Sequence, residues 1–348
     1  MTTAKPIIRV VVADDSLVAR DMLAEILSAD PGIEVVGLAT NGLEAVEMVE
    51  RLRPNLVTMD IHMPKMNGLE ATERIMAFYP TPILVVSSSV HGEGMGQAFD
   101  ALKLGALEVI KKPEIRESAD LDRVAKEVQR KVKILANVRV ITHIGGRRGH
   151  RTAAGTVAPP DGASRGIVAI GSSTGGPSAL LSVFERLPAG LSVPVLVAQH
   201  IAEGFVPGLV SWLDAGSPIR VVTAEAGTVP VAGVAYVAPT GTNMVIEGKR
   251  IGLIEPAPTQ LYVPNVDALF ESVARSFGKR AIGVLLTGMG ADGAKGLVRM
   301  HERGAVTIAQ DEETSTVFGM PKAAIELGAV DRTLAITDVG TAIVELIG

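Results

Sequence analysis

The chain contains no cysteine among its 348 residues, which excludes disulfides and thiolate metal sites. Aromatic residues make up only 3% of the sequence and the formal net charge is −5, so neither base stacking nor a basic footprint favours a nucleic-acid partner. No apolar run reaches the length of a bilayer crossing, and the N-terminal residues lack the pattern of a signal peptide. We therefore expect a cytoplasmic protein with no membrane insertion.

Short apolar runs alternate with amphipathic stretches along most of the chain, which is typical of βαβ units and parallel sheets. Hydrophobic residues make up 47% of the sequence, enough to bury both faces of such sheets. Helical patterns in the first part include Leu17–Ser28 and Leu43–Arg51. Five strands are predicted around them, at Ile7–Val12, Glu34–Ala39, Asn55–Met59, Pro82–Val86 and Leu107–Ile110.

One segment, residues 134–165, breaks this alternation because it is rich in Gly, Ala, Thr, Pro and Arg. We interpret it as a linker that starts by continuing the helical pattern of Ser118–Lys133. The alternative is a long surface loop within one domain, but such loops are uncommon in compact folds. The predicted organisation is a first domain over residues 1–133, a linker over 134–165 and a second domain over 166–348.

Polar side chains follow four of the predicted strands in the first domain. Asp14 and Asp15 follow the first strand, Asp60 the third, Ser87 the fourth and Lys112 the fifth. The carboxyl ends of parallel strands share one sheet edge, where the chemistry of open α/β sheets gathers. Each residue alone has a simpler explanation, since Asp14 and Asp15 could cap a helix. Their joint occurrence at one edge favours a functional site.

These residue types suit phosphoryl transfer to a carboxylate. Three carboxylates offer the oxygen ligands that Mg²⁺ prefers. A carboxylate can attack phosphorus to form an acyl phosphate, while a metal and an ammonium group offset charge on the phosphoryl oxygens. The Ser87 hydroxyl could donate a hydrogen bond to the bound group.

The segments VVADDS, MDIHMPKMNG, VVSSS and IKKP resemble those of response-regulator receiver domains over residues 6–133. The resemblance implies a flavodoxin-like, five-stranded parallel fold of a two-component system. It also implies that Asp60 is the phosphoacceptor and that Asp14 and Asp15 join it in a Mg²⁺ site.

The same resemblance assigns Ser87 as the switch hydroxyl and Lys112 as the ammonium group, and it implies a cis bond before Pro113. One departure concerns the position three residues before that lysine. The family often has an aromatic switch residue there, whereas this chain has Val109. We therefore do not expect a rotating aromatic ring to couple the phosphorylation site to the rest of the chain.

The second domain repeats the α/β pattern, with a predicted helix at Ala294–Arg303 and strands at Ile167–Ile170, Val193–Ala198, Ala281–Thr287 and Ala305–Ala309. Ser173 lies in a G-x-S-x-G turn after the first of these strands, and a helix follows. His200 and Asp292 lie beyond the ends of two others. A serine nucleophile needs a base and a group that orients the base, so these three residues predict a triad.

A rival interpretation uses Gly288–Gly293, a literal G-x-G-x-x-G between a strand and a helix, with Asp311 at roughly the spacing of a ribose-binding acid. Such a unit would belong to a dinucleotide-binding oxidoreductase. Asp292 inside the loop would repel a pyrophosphate, and little chain remains for a second nucleotide-binding half. A further alternative is a non-catalytic adaptor under receiver control, against which the complete triad argues.

The segments IGSSTGGP, VAQHIAEGF, AYVAPTGTNM, VLLTGMGADGAKGL and TIAQDEETSTVFGMPKAAIELGAV are similar to the catalytic domain of chemotaxis protein-glutamate methylesterases, the CheB family. The match covers residues 166–348 and implies a second doubly wound, mainly parallel α/β domain. It carries the triad onto Ser173, His200 and Asp292, with Thr174 and Met289 supporting catalysis. The family commonly reads RPSVD where this chain has VPNVD at residues 263–267.

The resemblance implies a phosphorylation-activated serine esterase that hydrolyses glutamate γ-methyl esters on chemoreceptors to glutamate and methanol. Deamidation of receptor glutamines is a second implied activity. The expected substrate is a methylated cytoplasmic receptor helix, and the expected phosphodonor is a chemotaxis histidine kinase. No cofactor is expected in the esterase site, and a monomer is expected.

Overall fold

The computed structural model describes residues 6–88, 93–113, 118–138, 140, 165–258 and 260–348. The chain divides into two compact units, Met1–His150 and Arg151–Gly348. Most of the predicted linker lies outside the described residues, namely residues 139 and 141–164.

The first unit contains one five-stranded sheet with the strand order β2-β1-β3-β4-β5. All of its pairings are parallel, which makes this the flavodoxin-like doubly wound arrangement. Its elements are β1 (Ile8–Ala13), α1 (Leu17–Ser28), β2 (Ile33–Ala39), α2 (Gly42–Leu52), β3 (Leu56–Met59), α3 (Gly68–Phe78), β4 (Ile83–Ser87), α4 (Glu93–Lys103), β5 (Glu108–Lys111) and α5 (Ser118–Leu135).

Side-chain caps fix where the first three helices begin. The side chains of Ser16, Asn41 and Asn67 each accept a hydrogen bond from a backbone N–H in the first turn of α1, α2 and α3. Strands β1, β3 and β4 are mostly apolar and almost fully buried, as a sheet covered on both faces requires. The caps and the buried strands together hold the loops at the carboxyl edge in place.

The second unit contains a seven-stranded parallel sheet with the order β14-β13-β12-β6-β7-β9-β8. An antiparallel hairpin of β10 and β11 accompanies it. The elements are β6 (Ile167–Ser172), α6 (Gly176–Phe184), β7 (Val195–Gln199), α7 (Val206–Gly216), β8 (Arg220–Thr223), β9 (Val234–Val237), β10 (Asn243–Glu247), β11 (Arg250–Ile254), α8 (Val266–Phe277), β12 (Ala281–Leu285), α9 (Ala294–Glu302), β13 (Val306–Gln310), α10 (Met320–Glu326), β14 (Arg332–Leu334) and α11 (Ile336–Ile347).

The core of the second unit joins the large sheet to the hairpin through α8. Leu269, Phe270 and Val273 of α8 are fully buried in one cluster with Leu285 of β12 and Met244 of β10. Burial of side chains of this size contributes about 1.5–3 kcal/mol each. The amino end of α8 is thereby held close to the loops that follow β6, β7 and β12.

The predicted fold class is confirmed for both units, and the predicted strands of the first part agree with the observed ones to within one residue at each end. Strands β8, β9, β10, β11 and β14 were not predicted. The expected cis bond before Pro113 is wrong: among the described residues the cis bond precedes Pro264. The trans isomer of an X–Pro bond is ordinarily favoured, by about 0.5–1 kcal/mol. Within the described ranges, every helix is too short or too polar for a bilayer crossing.

Candidate functional site

The acidic cluster of the first unit sits at the carboxyl edge of its sheet. Strands β1 and β3 pair with Ala13 opposite Met59, so the residues that follow them, Asp14 and Asp60, emerge side by side. One carboxylate oxygen from each of Asp14, Asp15 and Asp60 lies within 4.8 Å of the other two. Asp14 and Asp60 are buried and Asp15 is exposed. Three converging carboxylates match the oxygen donors that a hard divalent cation requires.

Lys112 lies between two of these carboxylates. Its Nζ is 2.7 Å from Asp14 Oδ2 and 3.1 Å from Asp60 Oδ2. Burial disfavours the Lys112 ammonium group, but its bonds to Asp14 and Asp60 outweigh this and raise its pKa. Burial raises the pKa of the Asp60 carboxyl, with Lys112 opposing the shift and Asp14 adding to it. The cluster therefore carries more negative charge than one ammonium group offsets.

Ser87 ends β4 and is fully buried. Its carbonyl accepts a hydrogen bond from the Lys112 N–H at 2.9 Å, so these two predicted site residues occupy adjacent strand ends. Val109 lies opposite Val85 in the β4–β5 ladder and is 8% exposed. The position where the family often has an aromatic ring is thus a packed aliphatic side chain.

Gly68 explains why α3 can begin so close to Asp60. A Cβ at this position would lie 2.0 Å from the Asp60 carbonyl oxygen, a distance that real atoms do not reach. The Gly68 N–H donates to the Ile61 carbonyl at 2.8 Å. Glycine therefore permits the helix to hold the loop that presents Asp60.

Ser173 and His200 follow neighbouring strands of the second unit. In the β6–β7 ladder Ser172 lies opposite Gln199, so the next residue of each strand emerges at the same edge. The His200 N–H donates to the Ser172 carbonyl at 3.0 Å, and Gln199 Nε2 donates to the Ser173 carbonyl at 2.8 Å. Ser173 sits between β6 and the start of α6, where Gly175 has a φ of 76°.

The loop after β12 brings Asp292 to this edge from the other side of β6. Asp292 Oδ2 lies 2.8 Å from His200 Nε2, and both side chains are largely buried. The Ser173 N–H donates to the Thr287 carbonyl at 3.0 Å in the same loop. A Cβ on Gly288 would lie 2.7 Å from the Ser173 Cβ, so the loop packs directly against the serine.

Asp292 receives hydrogen bonds from the start of α8 as well as from histidine. Its Oδ2 accepts from the Val266 N–H at 2.9 Å, and its Oδ1 accepts from Asn265 Nδ2 at 2.7 Å and from the Asp267 N–H at 3.1 Å. The positive end of the α8 dipole thus faces a carboxylate. These donors fix the carboxylate that orients the His200 ring.

The two predicted supporting residues lie next to residues of the predicted triad. Thr174 is buried, and its carbonyl accepts a bond from Thr287 Oγ1 at 2.9 Å. Met289 lies in the loop beside Gly288 and is partly buried. Both flank the turn that holds Ser173.

The G-x-G-x-x-G loop at Gly288–Gly293 has a structural role different from that of the dinucleotide-binding loop in the rival interpretation. It carries Asp292 to the start of α8, where Asp292 Oδ2 accepts from the Val266 N–H at 2.9 Å. Asp311, the candidate ribose acid, accepts bonds from the N–H of Thr314 at 2.9 Å and from its Oγ1 at 2.6 Å, within a local turn.

Sequence reasoning missed the roles of Asn265 and Tyr262. The spacing of Asn265 before α8 is a helix-cap pattern, which could have shown where α8 begins. No local pattern links it to Asp292, which lies 27 residues later in the chain. The Tyr262 ring stacks on the His200 ring, and this contact likewise arises only from the tertiary fold.

Comparisons with known proteins match both units. Residues 168–343 match the CheB methylesterase family and residues 10–122 match the response regulator receiver domain. A protein-glutamate methylesterase/protein-glutamine glutaminase of Anaeromyxobacter dehalogenans is 44% identical over 339 residues, covering 97% of each chain. A namesake from Geobacter metallireducens is 42% identical over 342 residues, covering 97% of this chain and 99% of the relative. The crystal structure of the Thermotoga maritima CheB methylesterase catalytic domain aligns with a TM-score of 0.50 at 36% identity, covering 53% of this chain and 100% of that one.

Proposed function

We propose, from the premise that this chain belongs to the CheB methylesterase family, that it is a receiver-controlled serine esterase acting on glutamate γ-methyl esters. The observation that carries the proposal is the convergence of Ser173, His200 and Asp292 at one sheet edge, with His200 Nε2 2.8 Å from Asp292 Oδ2. The names of the relatives support a glutamate methyl ester as the substrate, and they point to glutamine deamidation as a second activity.

The hydrogen bonds of His200 divide the roles of its two nitrogens. Nε2 faces Asp292 and donates to it, so Nδ1 carries the lone pair. Nδ1 is buried and has no hydrogen-bond partner among the described residues. In this proposal Nδ1 takes the Ser173 proton as Oγ attacks the ester carbonyl carbon, and Asp292 offsets the charge of the imidazolium.

The remaining steps follow from this assignment. The carbon–methoxy bond breaks, and the leaving oxygen takes the proton from His200 Nδ1 to give methanol. A water molecule then loses a proton to Nδ1 as it attacks the acyl-enzyme, and Ser173 leaves with that proton to give glutamate. In this proposal the N–H groups of the turn after Ser173 stabilise the oxyanion, with Thr174 and Met289 flanking it. The Gly176 N–H at the start of α6 already donates to the Ser173 carbonyl at 2.8 Å.

The proposed substrate is a methylated cytoplasmic helix of a chemoreceptor, and the proposed phosphodonor of the first unit is a chemotaxis histidine kinase. Asp60 is the proposed phosphoacceptor. Asp14, Asp15 and Asp60 would hold Mg²⁺, which supplies charge stabilisation to phosphoryl oxygens when bound. Lys112 neutralises part of the same charge, and the Ser87 hydroxyl binds the phosphoryl group in the proposed activated state.

Phosphorylation of Asp60 is proposed to relieve a restriction that the first unit places on the esterase. Two complete sites on one chain motivate this proposal. A fragment that begins at Arg165 should then hydrolyse ester faster than the intact unphosphorylated chain. Equal rates would contradict the inhibitory scheme without touching the esterase assignment.

The experiment that tests the esterase is methanol release from methylated receptors by the Ser173→Ala variant, with and without a small phosphodonor. We expect no release above background, while Asp60 is still phosphorylated. Release at the wild-type rate would refute the triad. Fluorophosphonate labelling of Ser173 favours the esterase, whereas tight NAD binding without labelling would favour the oxidoreductase.

A further inference from the structure

Tyr262 lies flat on the imidazole that the proposed reaction uses as its base. The ring centroids of Tyr262 and His200 are 4.8 Å apart and the ring planes differ by 6°. Tyr262 belongs to the segment before α8, which contributes none of the three triad residues. A Cβ on Gly290 would lie 3.2 Å from the Tyr262 hydroxyl oxygen, so the tyrosine also borders the loop that carries Asp292.

Hydrogen bonds hold the backbone on both sides of this tyrosine. Gln260 Nε2 donates to the Tyr262 carbonyl at 2.6 Å. Gln260 and Asn243 bind each other through both amide groups, at 2.8 and 2.9 Å. Asn243 Oδ1 also accepts from the Asn265 N–H at 2.8 Å. Since Asn243 begins β10, the hairpin and α8 together fix the position of the ring.

The stacked geometry places the His200 ring against the face of an aromatic ring, which carries the negative part of the ring quadrupole. A cation within about 6 Å of an aromatic ring face is attracted by the ring quadrupole, and the measured range corresponds to about two- to thirtyfold in a rate or equilibrium. The ring also covers one face of His200 against water. The quadrupole attraction acts most strongly when His200 holds the proton taken from Ser173, whereas the loss of water on that face opposes it.

We propose that Tyr262 is a positioning residue that fixes the plane of the His200 ring and stabilises its imidazolium form during acylation. This inference rests on the proposed serine esterase. It assigns a role to a residue outside the triad and to the amide pair Asn243–Gln260 that holds it.

Two other charged groups near the Tyr262–His200 stack can affect the pH dependence of the proposed reaction. Asp292 contacts His200 directly from the β12–α9 loop, and Asp267 lies behind Asp292 at the start of α8. The neighbouring residue on the β6 side is Ser173, which is uncharged. Replacing Tyr262 leaves both carboxylates in place, so a change in the pH profile of such a variant reports the ring.

The test uses the full-length chain, activated with a small phosphodonor and assayed for methanol release from a glutamyl γ-methyl ester peptide. Tyr262→Leu keeps an apolar side chain at this position but removes the ring. We expect kcat to fall by about tenfold with a smaller change in KM. We also expect the acid limb of the kcat/KM profile to move to lower pH by about half a unit to one unit.

Tyr262→Phe should restore most of the rate and the position of the acid limb, because the ring is retained. Tyr79→Leu makes the same change in the first unit, where Tyr79 contacts Arg53, and should leave the profile unchanged. If Tyr262→Leu does not fold, Gln260→Leu keeps the ring and removes its clamp, and should shift the limb less in the same direction.

An unshifted acid limb in Tyr262→Leu, or equal losses in the Phe and Leu variants, would overturn the role of the ring. If Tyr262→Leu does not fold, an unchanged profile in Gln260→Leu would overturn it as well. Activity of Ser173→Ala in the same assay would instead overturn the proposed esterase itself. The two failures are therefore distinguishable.

Discussion

The Nδ2 atom of Asn265 lies 2.7 Å from Oδ1 of Asp292, while Oδ1 of the same Asn265 accepts the Ala268 N–H at 2.8 Å. One side chain therefore both caps α8 and binds the carboxylate that orients His200. The CheB family commonly has serine at this position, which is another good helix cap. The longer amide of asparagine adds a donor that reaches Asp292.

Asn265→Asp should lower the esterase rate while preserving the helix cap. The new carboxylate can still accept a hydrogen bond from the Ala268 N–H. However, it removes the amide that donates to Asp292 and places a second negative charge beside that carboxylate. Hydrogen bonds to charged groups contribute about 1.5–3 kcal/mol, so we expect kcat to fall by about 10- to 100-fold. Methanol release under saturating ester measures this effect.

Asn67→Asp is the matched control for that substitution. Asn67 caps α3 by accepting the Glu70 N–H at 2.9 Å in an exposed position of the first unit. The control should leave the rate of methanol release within about twofold of wild type, because substitutions at exposed positions usually have small effects. An undiminished rate in Asn265→Asp would show that Asp292 does not depend on the amide.

Asp292→Asn should lower kcat far more than Asn265→Asp does. An amide NH₂ group in place of Oδ2 would donate to His200 Nε2 and so favour the tautomer with the proton on Nδ1. That nitrogen could then no longer accept the Ser173 proton. A loss of about 10⁴-fold follows when the orienting acid of a serine triad is replaced by its amide. Asp311→Asn is the comparison, since the oxidoreductase alternative needs Asp311 and the esterase does not. A larger loss from Asp311→Asn would reverse this conclusion.

The sheet edges were predictable because each polar residue follows an apolar run, and parallel strands deliver their carboxyl ends to one side. This reasoning placed Asp14, Asp60, Ser173 and His200 at the ends of neighbouring strands, where the structure has them. It missed strands β8 to β11 and β14, which are short and lie at the margin of the large sheet or outside it. β3 and β5 are equally short, but β8, β11 and β14 mix buried and exposed positions and so lack a continuous apolar run.

The contacts between distant loops could not be predicted in the same way. Asn265 and Asp292 are 27 positions apart, and Gln260 and Asn243 are 17 apart. Helix caps and amide pairs have local signatures, but their partners depend on how α8 packs under β10 and β12. The residues that hold a site in place are therefore harder to find than those that perform its chemistry.

Gly288→Ala should inactivate the esterase by displacing the serine. A Cβ there would lie 2.7 Å from the Ser173 Cβ and 2.2 Å from Met320 Sδ. The sulfur can move, but the serine turn is held by hydrogen bonds. Fluorophosphonate labelling should slow by at least about 100-fold, as a misplacement near 1 Å can cause. Gly190→Ala is the control, because nothing lies within 4 Å of that Cβ.

Asp15→Asn should weaken Mg²⁺ binding to the first unit. Asp15 supplies one of three converging carboxylates, and it is the exposed member of the group. Titration calorimetry with Mg²⁺ measures the loss, and phosphorylation of Asp60 by a small phosphodonor should fall in parallel and stop in EDTA. Asp21→Asn, on the exposed face of α1, should bind Mg²⁺ like wild type. Equal affinity in the two variants would remove Asp15 from the site.

Asp267 should make the second unit less stable as the pH rises through the acidic range. Burial raises the pKa of the Asp267 carboxyl; the Gly296 N–H opposes this shift, and the nearby Asp292 adds to it. Between about pH 3.9, the ordinary value of an aspartate, and the raised value, the folded state binds a proton that the unfolded state has lost. Stability therefore falls with rising pH over that window.

Asp267→Asn should remove this contribution. The free energy of unfolding of the variant should therefore increase relative to that of the wild type as the pH rises from about 3.9. Urea unfolding followed by Trp212, the only tryptophan in the chain, reports the second unit. Asp338→Asn is the control, because Asp338 also lies in the first turn of a helix but is exposed. A difference from wild type that is constant across pH would mean that Asp267 acts through its hydrogen bond to Gly296 alone.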